Sequence, residues 1–466
     1  MTLTYQQALE YIYSFDDPYL AALRDRGKPG WGLSTIRAIL NRLGDPHLAY
    51  PTVHVAGTKG KGSTSAFITQ GLIESGLKTG LYISPHLQDW RERIQINRQW
   101  IGEEALARLV EDFQPYGDQM PDLSAFEVIT ALAFWHFARE GCDVAVIEVG
   151  LGGRLDATSV VEPEVAVLTS ISLDHTQFLG DTVAQIAQDK SAIIKPGVPV
   201  VSAPQVPEAQ AAIEARAAEM VSPLILIGRD WHVQTLSLTW EGSEALIGEG
   251  DDLQRYTVAL PGAFQVENAA VALATLRELE RAGLPVRREA WHGALAHTRW
   301  PGRLETISRE PRVLVDGAHN PYSIRQLLAS LEILLEGRSL SVVFGCMADK
   351  DIDGMLEALL PAARQVVLTQ ADHPRAASPE ALWKRAIQQI RAAQQQGADW
   401  AGEITLMQAA DVGGAVRLAL GRAEPDQVLC ITGSLAVAGE ARTALLEDDS
   451  LITAIPGRFS AGHSPA

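Results

Sequence analysis

Residues 54–64, HVAGTKGKGST, combine glycines and lysines as phosphate-binding loops do. Glycines let backbone N–H groups approach a phosphate closely, and Lys61 adds a positive charge. The apolar residues before the loop predict a short buried strand. Residues 63–76 predict a helix whose positive N-terminal end would face the phosphate. The stretch therefore predicts a site for a nucleoside triphosphate.

The loop departs from the strict P-loop pattern at two positions. Val55 occupies the place of the first glycine, and Gly62 separates Lys61 from Ser63. Two interpretations follow, a variant phosphate loop or an ordinary strand–turn–helix junction. The two lysines favour the phosphate loop.

Three more polar residues stand where other predicted strands end: Ser84, Glu148 and His175. The carboxyl ends of parallel strands meet at one edge of a sheet, so we expect these residues beside the loop. Glu148 closes an apolar run, which favours a magnesium ligand, although it could instead cap the following glycine turn. Ser84 precedes a proline and is also explained as a turn residue, and His175 as a loop or capping residue.

Other charged residues carry weaker signals. Taken alone, Lys190 reads as a solvated lysine on a helix, and Asp174 as a turn residue. Asp316 follows a predicted strand and is either part of an Asp-Gly turn or a ligand contact. Arg303 lies in a Trp-Pro-Gly-Arg turn, as a linker residue or as a phosphate clamp in a cleft between two domains.

Strands and helices alternate over the first two hundred residues, which predicts a parallel sheet with helices on both faces. Residues 87–102 mix charged and aromatic residues, which predicts a loop. Short alternating runs over residues 224–260, beginning with LILIG, predict a small antiparallel sheet added to the main one.

A second strand–helix series follows the Trp-Pro-Gly-Arg turn and predicts a smaller, doubly wound, Rossmann-like domain. Its predicted strands are residues 312–315, 341–344, 365–369 and 428–432. The fold class is thus α/β, with a P-loop-type parallel-sheet domain over residues 1–298 and the second domain over residues 299–450. Residues 451–466 are predicted to be disordered.

Composition narrows the class of protein. The chain of 466 residues is 47% apolar and 21% charged, which is typical of globular domains, and no apolar run is long enough for a membrane helix. The net charge of −18 argues against a nucleic-acid partner. The separated cysteines Cys142, Cys346 and Cys430 fit buried free thiols. We expect a cytoplasmic protein, soluble and monomeric, without a membrane or nucleic-acid partner.

Taken together, the motifs resemble those of folylpolyglutamate synthases and dihydrofolate synthases, relatives of the ligases that build cell-wall peptides. The similar segments run in order along nearly the whole chain, and they include HVAGTKGKGST, ISPHLQDWRERIQI, EVGLGGRLDAT, TSISLDHTQFLGDT, DKSAIIKPG, WPGRLE, DGAHNP and TGSL. The segments EVGLGGRLDAT and SPHL with RERI distinguish this branch from the cell-wall ligases.

The resemblance implies roles for particular residues. Magnesium would be held by Ser84, Glu148 and His175, and Lys190 matches a lysine that relatives carry as a carbamate. Lys61, Lys190 and His175 would be catalytic. The implied ATP contacts are Lys59, Gly60, Lys61, Gly62, Ser63, Asn268, Arg303 and Asp316. The implied contacts to the pterin substrate are Ser124, Ala125, Phe126, Glu127, Leu155, Asp156 and Ala157.

The implied reaction is ATP-dependent amide formation between a folate-type carboxylate and L-glutamate, through an acyl phosphate. The substrates would be ATP, L-glutamate and dihydropteroate or a reduced folate, with Mg²⁺ as cofactor. Two other functions stay open. A cell-wall precursor ligase would lack the SPHL and RERI segments, and a non-catalytic nucleotide switch would need no substrate loop; the base-reading signature N-K-x-D of GTPases is absent.

Overall fold

The computed structural model describes residues 3–15, 32–424 and 426–447. The predicted disordered tail, residues 451–466, lies outside the described residues. Contacts divide the chain into two compact units. One holds Met1–Leu236, Glu244–Ala259 and Phe264–Arg299, and the other holds Ser237–Ser243, Leu260–Ala263 and Trp300–Ala466. The predicted domain boundary at 298/299 stays a prediction.

The first unit is built on an eight-stranded sheet with the order β4-β3-β2-β5-β1-β6-β7-β8. Its strands are β1 (Thr52–Ala56), β2 (Thr79–Tyr82), β3 (Ile94–Ile96), β4 (Gln99–Trp100), β5 (Val144–Glu148), β6 (Val165–Leu168), β7 (Val200–Ser202) and β8 (Leu224–Leu226). Six strands run parallel, and β3 and β4 form an antiparallel edge. The central strands β1, β5 and β6 are buried along their whole length, as strands covered on both faces must be.

Two predictions about strands in this unit were wrong. The segment predicted as a loop contains β3 and β4, joined by Asn97 and Arg98, which both have positive φ (49° and 67°). That backbone is typical of a type I′ hairpin turn, in which glycine usually follows asparagine, and the arginine concealed the signal. The run LILIG contains β8, which pairs in parallel with β7 in the main sheet rather than in the small one.

Helices cover both faces of this sheet, as predicted. They are α1 (Tyr5–Ser14), α2 (Ser34–Arg42), α3 (Lys61–Glu74), α4 (Glu103–Gly117), α5 (Ala125–Arg139), α6 (Thr176–Leu179), α7 (Val183–Lys190), α8 (Pro207–Glu219), α9 (Ala263–Arg281) and α10 (Ala290–Ala296), with 3₁₀ turns at Pro46–Leu48, Trp90–Arg93, Ala157–Val160 and Ser191–Ile193. One core cluster packs α1, α2, α4 and α5 against the sheet, and another packs α7 and α8.

A separate three-stranded sheet has the order β11-β10-β9, with β9 (Trp231–Thr239), β10 (Gly242–Glu249) and β11 (Asp252–Val258). This is the small added sheet that the alternating runs predict. The two-residue connection between β9 and β10 is that of a hairpin.

The second unit is built on a six-stranded sheet with the order β12-β13-β17-β14-β15-β16. Its strands are β12 (Glu305–Arg309), β13 (Arg312–Val315), β14 (Ser339–Phe344), β15 (Gln365–Leu368), β16 (Thr405–Gln408) and β17 (Gln427–Thr432). Only β12 is antiparallel to its neighbour. The four predicted strands are β13, β14, β15 and β17; the two edge strands β12 and β16 were missed because edge strands carry fewer buried apolar residues.

The helices of this unit are α11 (Pro321–Leu335), α12 (Ile352–Leu359), α13 (Pro379–Gln395), α14 (Trp400–Glu403), α15 (Val412–Leu420) and α16 (Leu435–Glu447), with a 3₁₀ turn at Leu360–Ala362. Side chains of α11, α12 and α13 pack on the sheet in a core of their own. The α/β fold class, with its parallel-sheet first domain, small added sheet and second smaller domain, is confirmed.

Two predictions from composition can be compared with the described residues. The three cysteines are buried and free. Within the described ranges, no helix has both the length and the apolar character that crossing a membrane requires.

Candidate active site

The sheet order places the carboxyl ends of β2, β5, β1 and β6 side by side. Glu148 is the last residue of β5 and pairs with Val55 of β1. Ser84 lies two residues beyond β2, and His175 lies in the segment that follows β6. The phosphate loop, Ser84, Glu148 and His175 therefore occupy one edge of one sheet, and the fold itself brings these segments together.

The loop after β1 is held in a conformation that favours glycine. Gly60 has φ +90° and immediately precedes α3, and a Cβ atom added to it would overlap Oδ1 of Asn268. Helix α3 begins at Lys61, two residues before the predicted start, because the left-handed Gly60 lets the helical turn begin there. The first backbone N–H groups of α3 have no partners within the helix and are available to an anion.

Backbone hydrogen bonds tie this loop to the segment after β6. The N–H groups of Thr58 and Lys59 donate to the carbonyl of Ser170, at 2.9 and 3.1 Å. The Thr58 hydroxyl donates to the Ser172 carbonyl and accepts from the Ser172 N–H, both at 3.1 Å. The two loops thus form one rigid edge.

Two lysine–carboxylate pairs lie along this edge. The Lys61 ammonium lies 3.8 Å from Oε1 of Glu148, and the Lys59 ammonium lies 2.9 Å from Oδ2 of Asp174. Glu148 is buried, and Lys61 offsets the cost of burying its charge. Asp174 also accepts a hydrogen bond from the His175 N–H at 3.0 Å, so it is a turn residue that holds a lysine as well.

His175 has a left-handed backbone, with φ +50°, and precedes the single-turn helix α6. Its ring is partly exposed, and Nε2 lies 3.9 Å from Oδ1 of Asp174. The histidine is thus placed at the rim of the edge, with a ring nitrogen close to the loop's acidic residue.

Lys190 is not a solvated surface residue; that interpretation was wrong. It ends α7 and is only 4% exposed. Burial, together with the positive charge of Lys61, lowers the pKa of Lys190 to about 7. The glycine turn after β5 packs against this helix end, where a Cβ on Gly153 would lie 2.7 Å from the Lys190 carbonyl. Near pH 7, about half of the Lys190 amine is therefore neutral, far more than for an exposed lysine.

Helix α9 reaches the phosphate loop through two amide side chains. The Asn268 amide donates to Oε1 of Gln265 at 3.0 Å, and the Gln265 amide donates to the Ser63 hydroxyl at 3.2 Å. Sequence reasoning did not select Gln265, although it precedes Asn268 by three residues and so shares its helix face.

The residues expected to hold the pterin lie on two segments, the start of α5 and the glycine turn after β5. Ser124 and Glu127 form a capping box at the start of α5, in which each side chain accepts the other's backbone N–H. Ala125 is buried. The Phe126 ring lies 6.4 Å from that of Tyr82, and a Cβ on Gly150 would collide with it. Phe126 is therefore the member of this stretch whose side chain reaches the glycine turn.

On that turn, Leu155 is 43% exposed whereas Asp156 and Ala157 are buried. The Asp156 carboxylate accepts from the N–H groups of Leu151 and Thr158, at 2.8 and 3.0 Å. Burial raises the pKa of Asp156 above its ordinary value, and its hydrogen bonds offset part of that rise. The carboxylate thus organises the turn while lying beside Gly150 and Phe126.

In the second unit, Asp316 follows β13 and accepts from the N–H groups of Leu304 and Ala318, both at 2.8 Å. Burial raises the pKa of Asp316, and the nearby Arg303 offsets part of that rise. Arg303 donates to the Gly302 carbonyl at 2.9 Å. Within this unit the two residues are neighbours that fix the Pro-Gly-Arg turn.

The donors expected to hold magnesium are a carboxylate, a hydroxyl and an imidazole. Among the described residues, no three His, Cys, Asp or Glu side chains form a metal-binding group. Magnesium at phosphate sites takes only one or two protein carboxylates and completes its shell with water and phosphate oxygens. One buried carboxylate, Glu148, beside a phosphate loop fits that requirement.

Two family models match the chain. The Mur ligase middle domain matches residues 55–276, and the Mur ligase glutamate ligase domain matches residues 302–435.

Three curated relatives are similar over most of the chain. A probable bifunctional folylpolyglutamate synthase/dihydropteroate synthase of Haloferax volcanii is 36% identical over 95% of this chain, which spans only 50% of that relative. The folylpolyglutamate synthase of Lacticaseibacillus casei is 35% identical over 95% of this chain and 99% of its own. A Bacillus subtilis dihydrofolate synthase/folylpolyglutamate synthase is 33% identical over 82% of this chain and 89% of its own.

Solved structures agree in fold over the same range. The Thermotoga maritima folylpolyglutamate synthase superposes with a TM-score of 0.79 at 31% identity, covering 95% of this chain and 97% of its own. A folylpolyglutamate synthase in complex with AMPPCP and folate has a TM-score of 0.79 at 32% identity, covering 95% of this chain and 100% of its own.

We expect Gly60→Ala to weaken binding of a non-hydrolysable ATP analogue at least about tenfold, which corresponds to roughly 1.4 kcal/mol. The new methyl group would overlap Asn268 and strain a left-handed backbone. Isothermal titration calorimetry measures the effect.

Gly76→Ala is the matched control. Gly76 also has φ +90°, but it follows the far end of α3, where the nearest atom to an added Cβ is 4.0 Å away. It should lower the melting temperature and leave nucleotide affinity unchanged. Equal affinity loss in both variants would contradict a specific role for Gly60.

Proposed function

The chain belongs to the folylpolyglutamate synthase and dihydrofolate synthase family, which are ATP-dependent ligases of the Mur ligase superfamily, and from that premise we propose how its own residues bind ATP and a folate-type acid. The observation that carries the proposal is the glycine loop that ends in a helix N-terminus, beside the ion pair of the half-buried Lys61 with the buried Glu148. This arrangement combines an anion site with a cation and a carboxylate.

The ATP phosphates would lie on the loop formed by Lys59, Gly60, Lys61, Gly62 and Ser63. The N–H groups of α3 and the Lys61 ammonium would neutralise the negative charge that spreads over the transferred phosphoryl group. Asn268 supports this loop through Gln265 and Ser63. Arg303 and Asp316 stay predicted ATP contacts of the second unit.

Glu148, Ser84 and His175 would hold Mg²⁺. A bound Mg²⁺ would supply positive charge against the negative charge that develops on the phosphates. Lys61, whose ammonium lies 3.8 Å from Oε1 of Glu148, would add a second positive charge at the same edge.

The folate-type substrate would lie along the glycine turn after β5. Phe126 and the exposed Leu155 offer apolar surface to a flat ring, and Asp156 offers a fixed carboxylate. Ser124, Glu127, Ala125 and Ala157 would act through the backbone, because their side chains are buried or engaged in the capping box. The relative that binds AMPPCP and folate supports this choice of ligands.

The reaction uses three substrates and joins two of them, the acid and L-glutamate. An oxygen of the substrate carboxylate attacks the γ-phosphorus of ATP, and ADP leaves with the electrons of the broken bond. The amino group of L-glutamate then attacks the carbonyl carbon of the acyl phosphate, loses a proton and expels inorganic phosphate, which leaves an amide. Phosphoryl transfer of this kind needs positioned cations more than covalent help from the protein.

Lys190 would react with CO₂ to form a carbamate. Only a neutral amine can attack CO₂, and burial provides that amine near pH 7. The product is an acidic group that replaces a buried cation close to Lys61. We propose this group as a further negative charge at the phosphate edge.

The choice between adding the first glutamate and extending a glutamate chain is a matter of substrate. Phosphate release measured with dihydropteroate plus L-glutamate, and separately with tetrahydrofolate plus L-glutamate, tests it. We expect ATP- and glutamate-dependent release with at least one of the two acids. Release with neither acid, but with a muramyl nucleotide, would instead identify a cell-wall ligase. A nucleotide switch would show no dependence on any acid.

Action as a monomer in the cytoplasm, without nucleic acid or membrane, stays a prediction.

Glu148→Gln should lower kcat by roughly 100-fold or more, because the loss of a metal ligand costs several kcal/mol and each 1.36 kcal/mol is tenfold. The amide has the size of the carboxylate, so the melting temperature should change little. Steady-state phosphate release at several Mg²⁺ concentrations measures the effect. Glu104→Gln, at a side chain that is 91% exposed, is the control. Wild-type turnover in the Glu148 variant would remove the metal assignment.

Wild-type protein in ¹³C-labelled bicarbonate should show a carbamate carbonyl resonance by NMR. Its intensity should rise as pH rises through about 7, since the neutral fraction of Lys190 increases in that direction. Lys190→Met should lose the resonance, whereas Lys384→Met, on an exposed part of α13, should keep it. A signal that persists in Lys190→Met would exclude this site.

A further inference from the structure

His54 is a fully buried histidine in the middle of β1, between Ile147 of β5 and Ala166 of β6. Its Nε2 lies 2.9 Å from the Thr158 hydroxyl. No role for this ring follows from the phosphate loop that begins three residues later. Burying an imidazole costs more free energy than burying an apolar side chain of similar size. The presence of a histidine with a single hydrogen bond at this position therefore requires an explanation.

The hydrogen bond continues to the substrate side of the unit. The Thr158 hydroxyl donates to Oδ1 of Asp156, and the Thr158 N–H donates to the same oxygen at 3.0 Å. The second oxygen, Oδ2, accepts from the Leu151 N–H at 2.8 Å. A continuous chain, from His54 through Thr158 to Asp156, therefore connects the sheet interior with the glycine turn.

The protonation state of Asp156 sets the direction in which hydrogen bonds are donated along this chain. An ionised carboxylate only accepts, so the single proton of the Thr158 hydroxyl goes to Asp156. The Thr158 oxygen then accepts from His54, which must be neutral and protonated at Nε2. Burial, together with the charge of Lys195, lowers the pKa of His54 to about 3, which agrees with a neutral ring.

The reverse direction is less favourable. A protonated Asp156 would donate to Thr158, and Thr158 would donate to Nε2, which would leave the proton of His54 on Nδ1. Among the described residues, Nδ1 has no hydrogen-bond partner. An unsatisfied buried N–H donor is costly, so the chain favours a charged Asp156 against the effect of its burial.

We propose that His54 and Thr158 are positioning residues that hold the Asp156 carboxylate ionised and in one orientation for the folate-type substrate. This inference rests on the proposed function, in which Asp156 faces the flat ring beside Phe126. A pterin ring presents N–H donors at its edge, and a fixed, charged acceptor recognises them more strongly than one free to rotate.

Thr158→Val tests the chain, because it removes the hydroxyl while keeping the shape and the backbone N–H. We expect the KM for the folate-type acid to rise about tenfold, with kcat and the KM for ATP changed by less than about twofold. His54→Leu should give the same pattern. Thr158→Ser keeps a hydroxyl and should return the KM toward the wild-type value.

Thr52→Val is the matched control. Thr52 lies on the same strand, is buried, and its hydroxyl has no partner among the described residues, so its removal should not change the KM. Melting temperatures of all variants show whether the fold is kept.

Asp156→Asn separates the two ways in which the inference could be wrong. If this variant leaves the KM for the acid unchanged, Asp156 does not contact substrate and the proposed function of this turn fails. If it raises the KM but Thr158→Val and His54→Leu do not, the substrate assignment stands and the positioning chain is rejected. A rise in the KM for ATP equal to that for the acid would also reject it, since general loosening of the unit would explain both.

Discussion

The arrangement of the phosphate edge depends on pairing a carboxylate at the end of a buried strand with a lysine of the neighbouring loop. Glu148 closes β5 with apolar neighbours on both sides, and an unpaired charge there would cost several kcal/mol. The ammonium of Lys61 supplies the counter-charge, and it can do so only because α3 begins directly at that residue. The left-handed Gly60 makes this early start possible. A single backbone conformation therefore links the sheet, the phosphate loop and the charge balance of the site.

The two ends of the site use glycine in different ways. At the end proposed for the phosphates, Gly60 allows an amide side chain, Asn268, to lie against the backbone of the loop. At the substrate end, Gly150 leaves room for an aromatic ring and Gly153 lets the turn press on a helix. Both ends are anchored by hydrogen bonds to residues of the same sheet edge. Under the proposed assignment, this common anchoring would hold the triphosphate and the acid near the same sheet edge.

Long buried strands and the phosphate loop could be predicted from sequence because their signals are local. The runs that became β1, β5 and β6 are mostly apolar, and Glu148 is conspicuous because it ends one of them. Lys190 could not be placed in the same way, since its burial comes from a glycine turn more than thirty residues away. The hairpin at Asn97 and Arg98 was missed because half of its usual signal is lacking, and Gln265 because its role depends on a contact with a distant helix.

The packing of the glycine turn against the end of α7 makes Lys190 a natural reporter of local opening. A large fraction of its amine, about half, is neutral near pH 7 and hence nucleophilic, yet the side chain is almost completely covered. An acylating reagent can therefore reach it only when the turn lifts away. The rate at which Lys190 is acylated, relative to that of surface lysines, would measure how often this part of the enzyme opens locally. No label has to be introduced for this measurement.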